Sequence, residues 1–269
     1  MKLAWATDVH LTHARGNAKG SGVDLFAMGV NGLDVDALVI TGDISSYEYL
    51  DHHLGWLGAN IEVPVYFVLG NHDAYEGSIG GSREIAYNCA AKTVGLNWLD
   101  GKPYMDLTRR SGIVGVGGWA DALTGNFYLS PFLLNDYEMI NELKRLPAKL
   151  LKETLGRLGK EAAKRLKRSL KTVPESCEHL VVATHVPPWR EADVYQGKVA
   201  NDKWAPHFTC VSTGLVLNEH ASSNPDRQIT VLCGHTHGGG ECSPMPNILC
   251  KTGEARYGFP GIVEVLSLP

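Results

Sequence analysis

An α/β fold is what this sequence predicts, and three observations predict it. Short apolar runs recur along the chain, rich in β-branched side chains and without polar alternation, the mark of strands covered on both faces. The segments between the runs are long enough for helices or extended loops, as a layered α/β protein requires. Residues able to hold a metal ion then recur directly after the runs rather than inside them. With 269 residues and an apolar share of 44%, the chain is long enough for one large domain or two small ones and can fill a sizeable core; a single domain over residues 1–269 is expected.

The first run, Leu3–Ala6, is followed by Asp8-Val9-His10. In extended chain residues i and i+2 point to one side, so Asp8 and His10 face a common site while Val9 packs behind them. Ala37–Ile40 leads into Gly42-Asp43, and Val65–Leu69 leads into Gly70-Asn71-His72-Asp73. Ile113–Val116 is the fourth run. Leu180–Ala183 precedes Thr184-His185, and Thr230–Cys233 precedes Gly234-His235-Thr236-His237; Ile262–Leu266 is the last run. Five strands thus deliver metal-competent side chains at their carboxyl ends, where ligands gather in open α/β sheets. The glycines let the backbone turn sharply and approach closely. Oxygen and imidazole donors without thiolate suit Mn, Fe, Zn, Co or Ni.

Between the fourth and fifth runs the pattern changes. Apolar residues from Ile140 to Leu170 recur at helical intervals, and Pro147, Gly156 and Gly159 are expected to divide the stretch into two or three helices. Residues 138–172 hold eleven Lys/Arg and four Glu, a net of +7 that leaves the remainder at -11. This reads as a helical insertion over about 121–176: a solvated amphipathic cap, a surface steering anionic substrate, or a nucleic-acid or membrane contact. A second, irregular insertion, rich in Trp, Tyr and Pro, is expected from Pro187 to about Val211.

The net charge of -4 exerts no pull toward nucleic acid or an anionic membrane. No apolar stretch approaches the ~20 residues of a membrane span. Asp8 falls where a signal peptide would carry its apolar segment, and six scattered cysteines without CxxC spacing read as reduced thiols, so a cytoplasmic location is expected. Of the other histidines, His13 is out of the i+2 phase and reads as a loop residue. His52 and His53 lie in a polar helical stretch and are expected to face solvent, and His207 is expected to make an ordinary loop contact.

The ordered series DxH, GD, GNHD, H and GHTH resembles the calcineurin-like metallophosphoesterase superfamily of binuclear-metal phosphatases and phosphodiesterases. The resemblance covers about residues 1–118 and 177–266. It implies a four-layer αββα sandwich of two mixed sheets flanked by helices, which the strand pattern alone does not give. It implies one ion held by Asp8, His10, Asp43 and His237, and a second by Asp43, Asn71, His185 and His235, with Asp43 bridging. Manganese or iron is favoured. A hydroxide shared by the ions would attack the phosphoester, with His72 as imidazolium stabilising or protonating the departing alkoxide; Asp73 either orients His72 or is a loop carboxylate capping a helix. The implied substrate is a small phosphate ester, possibly a nucleotide, with a diester favoured. GDISSYE departs from the GDxxDRG of Ser/Thr protein phosphatases, and Ser46 stands where purple acid phosphatases carry a tyrosine. A DNA-processing nuclease of the same superfamily and a non-catalytic metal-binding interaction module are the alternatives.

Overall fold

Five of the seven apolar runs lie within strands of the computed structural model, which describes residues 1–269, and Val65–Leu69 passes the end of its strand by one residue. The first part of the chain alternates β1 (Lys2–Ala6), α1 (Gly22–Asn31), β2 (Ala37–Thr41), α2 (Tyr47–Asn60), β3 (Val65–Val68), α3 (Ile79–Lys92) and β4 (Leu96–Trp98). Next come β5 (Met105–Asp106), β6 (Ser111–Val116), α4 (Asp136–Met139), α5 (Ala148–Leu170) and β7 (His179–Thr184). A small hairpin, β8 (Val194–Tyr195) with β9 (Lys198–Val199), precedes α6 (Val211–Ser223) and β10 (Gln228–Cys233). The chain closes with β11 (Gly240–Met245), β12 (Ile248–Thr252) and β13 (Glu264–Ser267). The last strand starts two residues later than its apolar run; it is an edge strand, antiparallel to β1, with Leu266 turned inward and Val265 outward.

One sheet has the order β13-β1-β2-β3-β4 and the other β11-β12-β10-β7-β6-β5. Strands β1 to β4 are mutually parallel, as are β6, β7, β10 and β12; the antiparallel pairings lie at the edges. Strand β2 shows why its sequence does not alternate. Leu38 and Ile40 join an outer core with Phe26 of α1 and Leu50 and Leu54 of α2. Ala37 and Val39 join an inner core with Val181, Ala183 and Leu232 of the second sheet. Beyond that sheet, Val114, Val182 and Val231 pack with Ala162 and Leu166 of α5 and Leu217 of α6. The result is the four-layer αββα sandwich. Each fully buried Leu, Ile or Val contributes about 1.5–3 kcal/mol of burial free energy.

The helical insertion separates two adjacent parallel strands, β6 and β7. Pro147 does interrupt it, but Gly156 and Gly159 lie inside the unbroken helix α5. Gly159 is there for close approach: a Cβ would sit 2.5 Å from the Cβ of Asp121. Leu151, Leu155, Leu158, Leu166 and Leu170 form the buried stripe of α5, while Lys160, Lys164, Lys167 and Lys171 are exposed. No helix is long and apolar enough to cross a membrane.

Candidate metal centre

The carboxyl ends of three neighbouring strands in one sheet, β1, β2 and β3, meet those of β7 and β10 in the other. Three backbone hydrogen bonds tie the loops of β1 and β2: the Asp8 N–H donates to the Gly42 carbonyl (3.1 Å), the His10 N–H to the Asp43 carbonyl (2.9 Å) and the Leu11 N–H to the Ile44 carbonyl (2.8 Å). His185 joins the sheets, its Nδ1 lying 2.9 Å from the Thr41 carbonyl.

Nine non-glycine residues have positive φ, and five of them are Asp8, His10, Asp43, His235 and His237. Backbone strain in that left-handed region costs of order 1–3 kcal/mol per residue and persists where the surroundings over-determine it. The glycines before Asp43, Asn71 and His235 make the approach possible. A Cβ on Gly234 would lie 2.0 Å from Thr7 Oγ1 and 2.1 Å from Asp8 Oδ2, and one on Gly70 would lie 2.1 Å from Asp43 Oδ1.

The donor atoms of Asp8, His10, Asp43 and His237 all lie within 4.8 Å of one another. His237 Nε2 is 3.1 Å from His10 Nε2 and 3.3 Å from Asp8 Oδ1. Asp43 divides its two oxygens. Oδ2 is 3.8 Å from His10 Nε2, whereas Oδ1 is 3.3 Å from His185 Nε2. Asn71 Oδ1 lies 2.9 Å from the same His185 nitrogen. The His235 ring meets the His185 ring edge-on, with centroids 5.0 Å apart, and its Nε2 lies 3.4 Å from the His207 carbonyl.

The His185 contacts decide what this second cluster suits. A carbonyl only accepts, so Thr41 fixes the His185 proton on Nδ1 and leaves Nε2 as a lone pair. That lone pair faces two more acceptors, the Asn71 amide oxygen and an Asp43 carboxylate oxygen. Asp8 and Asp43 are buried almost completely. Burial and the Asp8 and Asp73 charges raise the Asp43 carboxyl well above the usual range. Burial holds His10 and His235 down at about 3, in the neutral form that ligates. Buried acceptors that face one another, as His185 Nε2, Asn71 Oδ1 and Asp43 Oδ1 do, fit a cation placed between them.

The sequence matches the calcineurin-like phosphoesterase family over residues 1–239. The chain belongs to that family. Membership supports metal-dependent hydrolysis of a phosphoester. A phosphopantetheinyl hydrolase from Mycobacterium tuberculosis is 13% identical to this phosphoesterase, with a TM-score of 0.67 over 97% of this chain and 95% of that one. A dimetal phosphatase from Danio rerio is 15% identical, with a TM-score of 0.58 over 94% and 87% of the respective chains. At such identities the likeness is one of fold. No curated protein matches it in sequence.

His72 is the candidate catalytic side chain that reaches open space in this phosphoesterase, at 18% exposed. Its backbone N–H donates to Asp43 Oδ1 (2.9 Å), its ring stacks on Tyr75 at 4.0 Å, and its Nε2 lies 3.2 Å from the Tyr257 hydroxyl. The expected imidazolium is not what the cleft itself favours: burial, then the charges of His10 and His185, push His72 down to about 2. Asp73 behaves as a loop carboxylate. Its carboxylate accepts from the backbone N–H groups of Gly70 (2.8 Å) and Ser45 (2.7 Å) and makes no hydrogen bond to the His72 ring, so it braces the loops. His53, expected at the surface, is buried with Nδ1 2.6 Å from Ser45 Oγ. His13 is exposed, and His207 is buried between the Tyr137 hydroxyl and Ser130.

A cleft of about 670 Å³ opens over His72, His235 and His237. The second insertion supplies one wall: Phe208 packs against His235 at 4.8 Å, Trp204 stacks on Phe208 at 4.5 Å, and Tyr195 lies 6.1 Å beyond. Tyr257, stacked on His10 at 4.3 Å, supplies another. Tyr257 and Asp136 escape a reading of the sequence by motif, since neither stands beside a strand-end signature, and Tyr75, two residues past Asp73, is not part of one. Only the i, i+4 spacing of Trp204 and Phe208 hints at a shared face.

Proposed function

We propose that this phosphoesterase holds two metal ions, one among Asp8, His10, Asp43 and His237 and the other among Asp43, Asn71, His185 and His235. One observation carries the reading: His185 Nε2, with no proton, lies 2.9 Å from Asn71 Oδ1 and 3.3 Å from Asp43 Oδ1, and a cation reconciles three such acceptors. The oxygen and imidazole set suits manganese or iron, with zinc, cobalt and nickel also compatible. Bound there, a pair of ions withdraws phosphoryl charge and acidifies water.

The chain's own residues orient the ester and handle its leaving group. His72 lines the cleft beside Asp43, where its Nε2 can donate to the departing oxygen. The negative charge of a bound ester opposes the burial that otherwise pushes His72 down to about 2. The Tyr257 hydroxyl at 3.2 Å steadies that ring.

A cleft of about 670 Å³ suits a small ester. Arg256 is the one Lys or Arg among its lining residues, which supports a singly charged phosphodiester over a dianionic monoester. The wall of Phe208, Trp204 and Tyr195 supports an ester bearing a planar ring, such as a nucleotide, because bases stack on aromatic side chains. With Mn²⁺ added, bis-(p-nitrophenyl) phosphate should release p-nitrophenol faster than the monoester. Release from neither, with two ions bound, would rule the proposal out.

A further inference from the structure

We infer that Asp136, carried by the helical insertion, is a positioning residue for the metal centre: through Asn71 it fixes which amide atom faces the second ion. The inference rests on the two-ion reading above and assigns the insertion a part in it.

The two ends of an asparagine amide have nearly the same shape and opposite hydrogen-bonding character. Here Asn71 Nδ2 has two partners, Asp136 Oδ1 at 2.9 Å and the Tyr75 hydroxyl at 3.3 Å. That hydroxyl gives its own proton to the same Asp136 oxygen at 2.6 Å. The pairing holds Nδ2 on the Asp136 side, and Asn71 Oδ1 is left pointing at His185. Turned over, the amide would set its oxygen against the Asp136 carboxylate and its NH₂ toward the ion. Asp136 is 6% exposed, so water does not stand in for it.

The insertion is stitched to the loop that bears Asn71 and His72. The Glu76 N–H donates to the Met139 carbonyl (2.9 Å), and the Asn141 N–H donates to the Gly77 carbonyl (3.0 Å). The Glu142 carboxylate accepts from the N–H groups of Ile79 (3.0 Å) and Gly80 (3.1 Å) at the start of α3. Tyr75 and Ile79 share a core with Tyr137, Ile140 and Leu143. Helix α4 therefore holds Asp136 rigidly beneath the amide. The basic face of α5 is solvated; what the insertion brings to the chemistry is a buried carboxylate.

Partners that orient a metal ligand are typically worth 10–100-fold in metal affinity. Mn²⁺ binding to the wild-type protein, Asp136→Ala and Asp136→Asn should be followed by titration calorimetry and by ion count after gel filtration. Asp136→Ala should weaken one of two ions by about 10–100-fold and leave the other as it was. Asp136→Asn keeps a carbonyl oxygen able to accept from both Asn71 and Tyr75, and should restore most of that loss. Two ions held by Asp136→Ala with wild-type affinity would overturn the inference. So would an equal loss of both ions in both variants, the pattern of general collapse. Absence of an ion pair from the wild type would instead remove the two-ion reading, and this inference with it.

Discussion

Replacing Gly234 by alanine adds one methyl group, and the structure says where it lands. The new Cβ would stand 2.0 Å from Thr7 Oγ1 and 2.1 Å from Asp8 Oδ2. Ordinary carbon contacts begin near 3.5 Å, so the Asp8 carboxylate must retreat by more than about 1 Å. It has nowhere easy to go. The Thr7 hydroxyl donates to it at 2.7 Å, the His235 N–H donates to both its oxygens at 3.1 Å, and its own backbone sits at φ 48. Overpacking of this kind costs about 1–3 kcal/mol. For a chain of this size that lowers Tm by roughly 2–12 °C, at about 2–4 °C per kcal/mol. Ligand positions in metal sites hold to about 0.2 Å, so the ion between Asp8 and His237 should be lost. A misplacement near 1 Å should also lower the rate by about 100-fold. Thermal melts, ion counts and hydrolysis of bis-(p-nitrophenyl) phosphate read the three effects. Gly55→Ala is the control, because a Cβ there meets nothing within 4 Å inside α2; it should gain about 0.5–1 kcal/mol. Two bound ions and the wild-type rate in Gly234→Ala would refute the reasoning.

His72→Ala should lower kcat by roughly 10²–10⁴-fold with both ions still bound; full activity at full occupancy would exclude His72 from the reaction. Stability should also fall with acid through His53. Burial, then the neighbouring His52, pushes that ring down to about 4 in the fold, whereas in the unfolded chain it titrates near 6.5. Its folded pKa being the lower, the unfolded chain binds the extra proton between those values. Its contribution is therefore full above about pH 6.5 and lost as pH falls toward 4. His53→Gln should flatten that part of the profile in urea melts at several pH values, and an unchanged slope would show that His53 is not its source.

How much of this was legible in the sequence follows from where each constraint is local. The strand-end motifs are local as residue types at fixed spacings, Gly234 beside His235 and Asp8 two residues before His10, but the extended i, i+2 backbone expected of Asp8 and His10 gives way to left-handed φ values of 48 and 40. His53 was legible too, though read wrongly. It lies three residues after Leu50 and four before Leu57, on the buried face of α2, and helical period outweighs its polarity. The two-sheet arrangement is not local. Both faces of β2 are buried, so Leu38-Val39-Ile40 reads as one apolar run whether its far side meets a helix or a second sheet. Asp136 is the extreme case: 65 residues separate it from Asn71, and nothing beside it marks it out from any carboxylate opening a helix. The strain pattern ties these levels together. Left-handed backbone at Asp8, His10, Asp43, His235 and His237 opposes folding, and no local preference of Asp or His accounts for five cases at one spot. It persists because strands of both sheets, locked by the inner core of Val39, Val181 and Leu232, leave the loops no other path. The fold therefore sustains, by its packing, a set of carboxylates and imidazoles that the loops alone would not bring together.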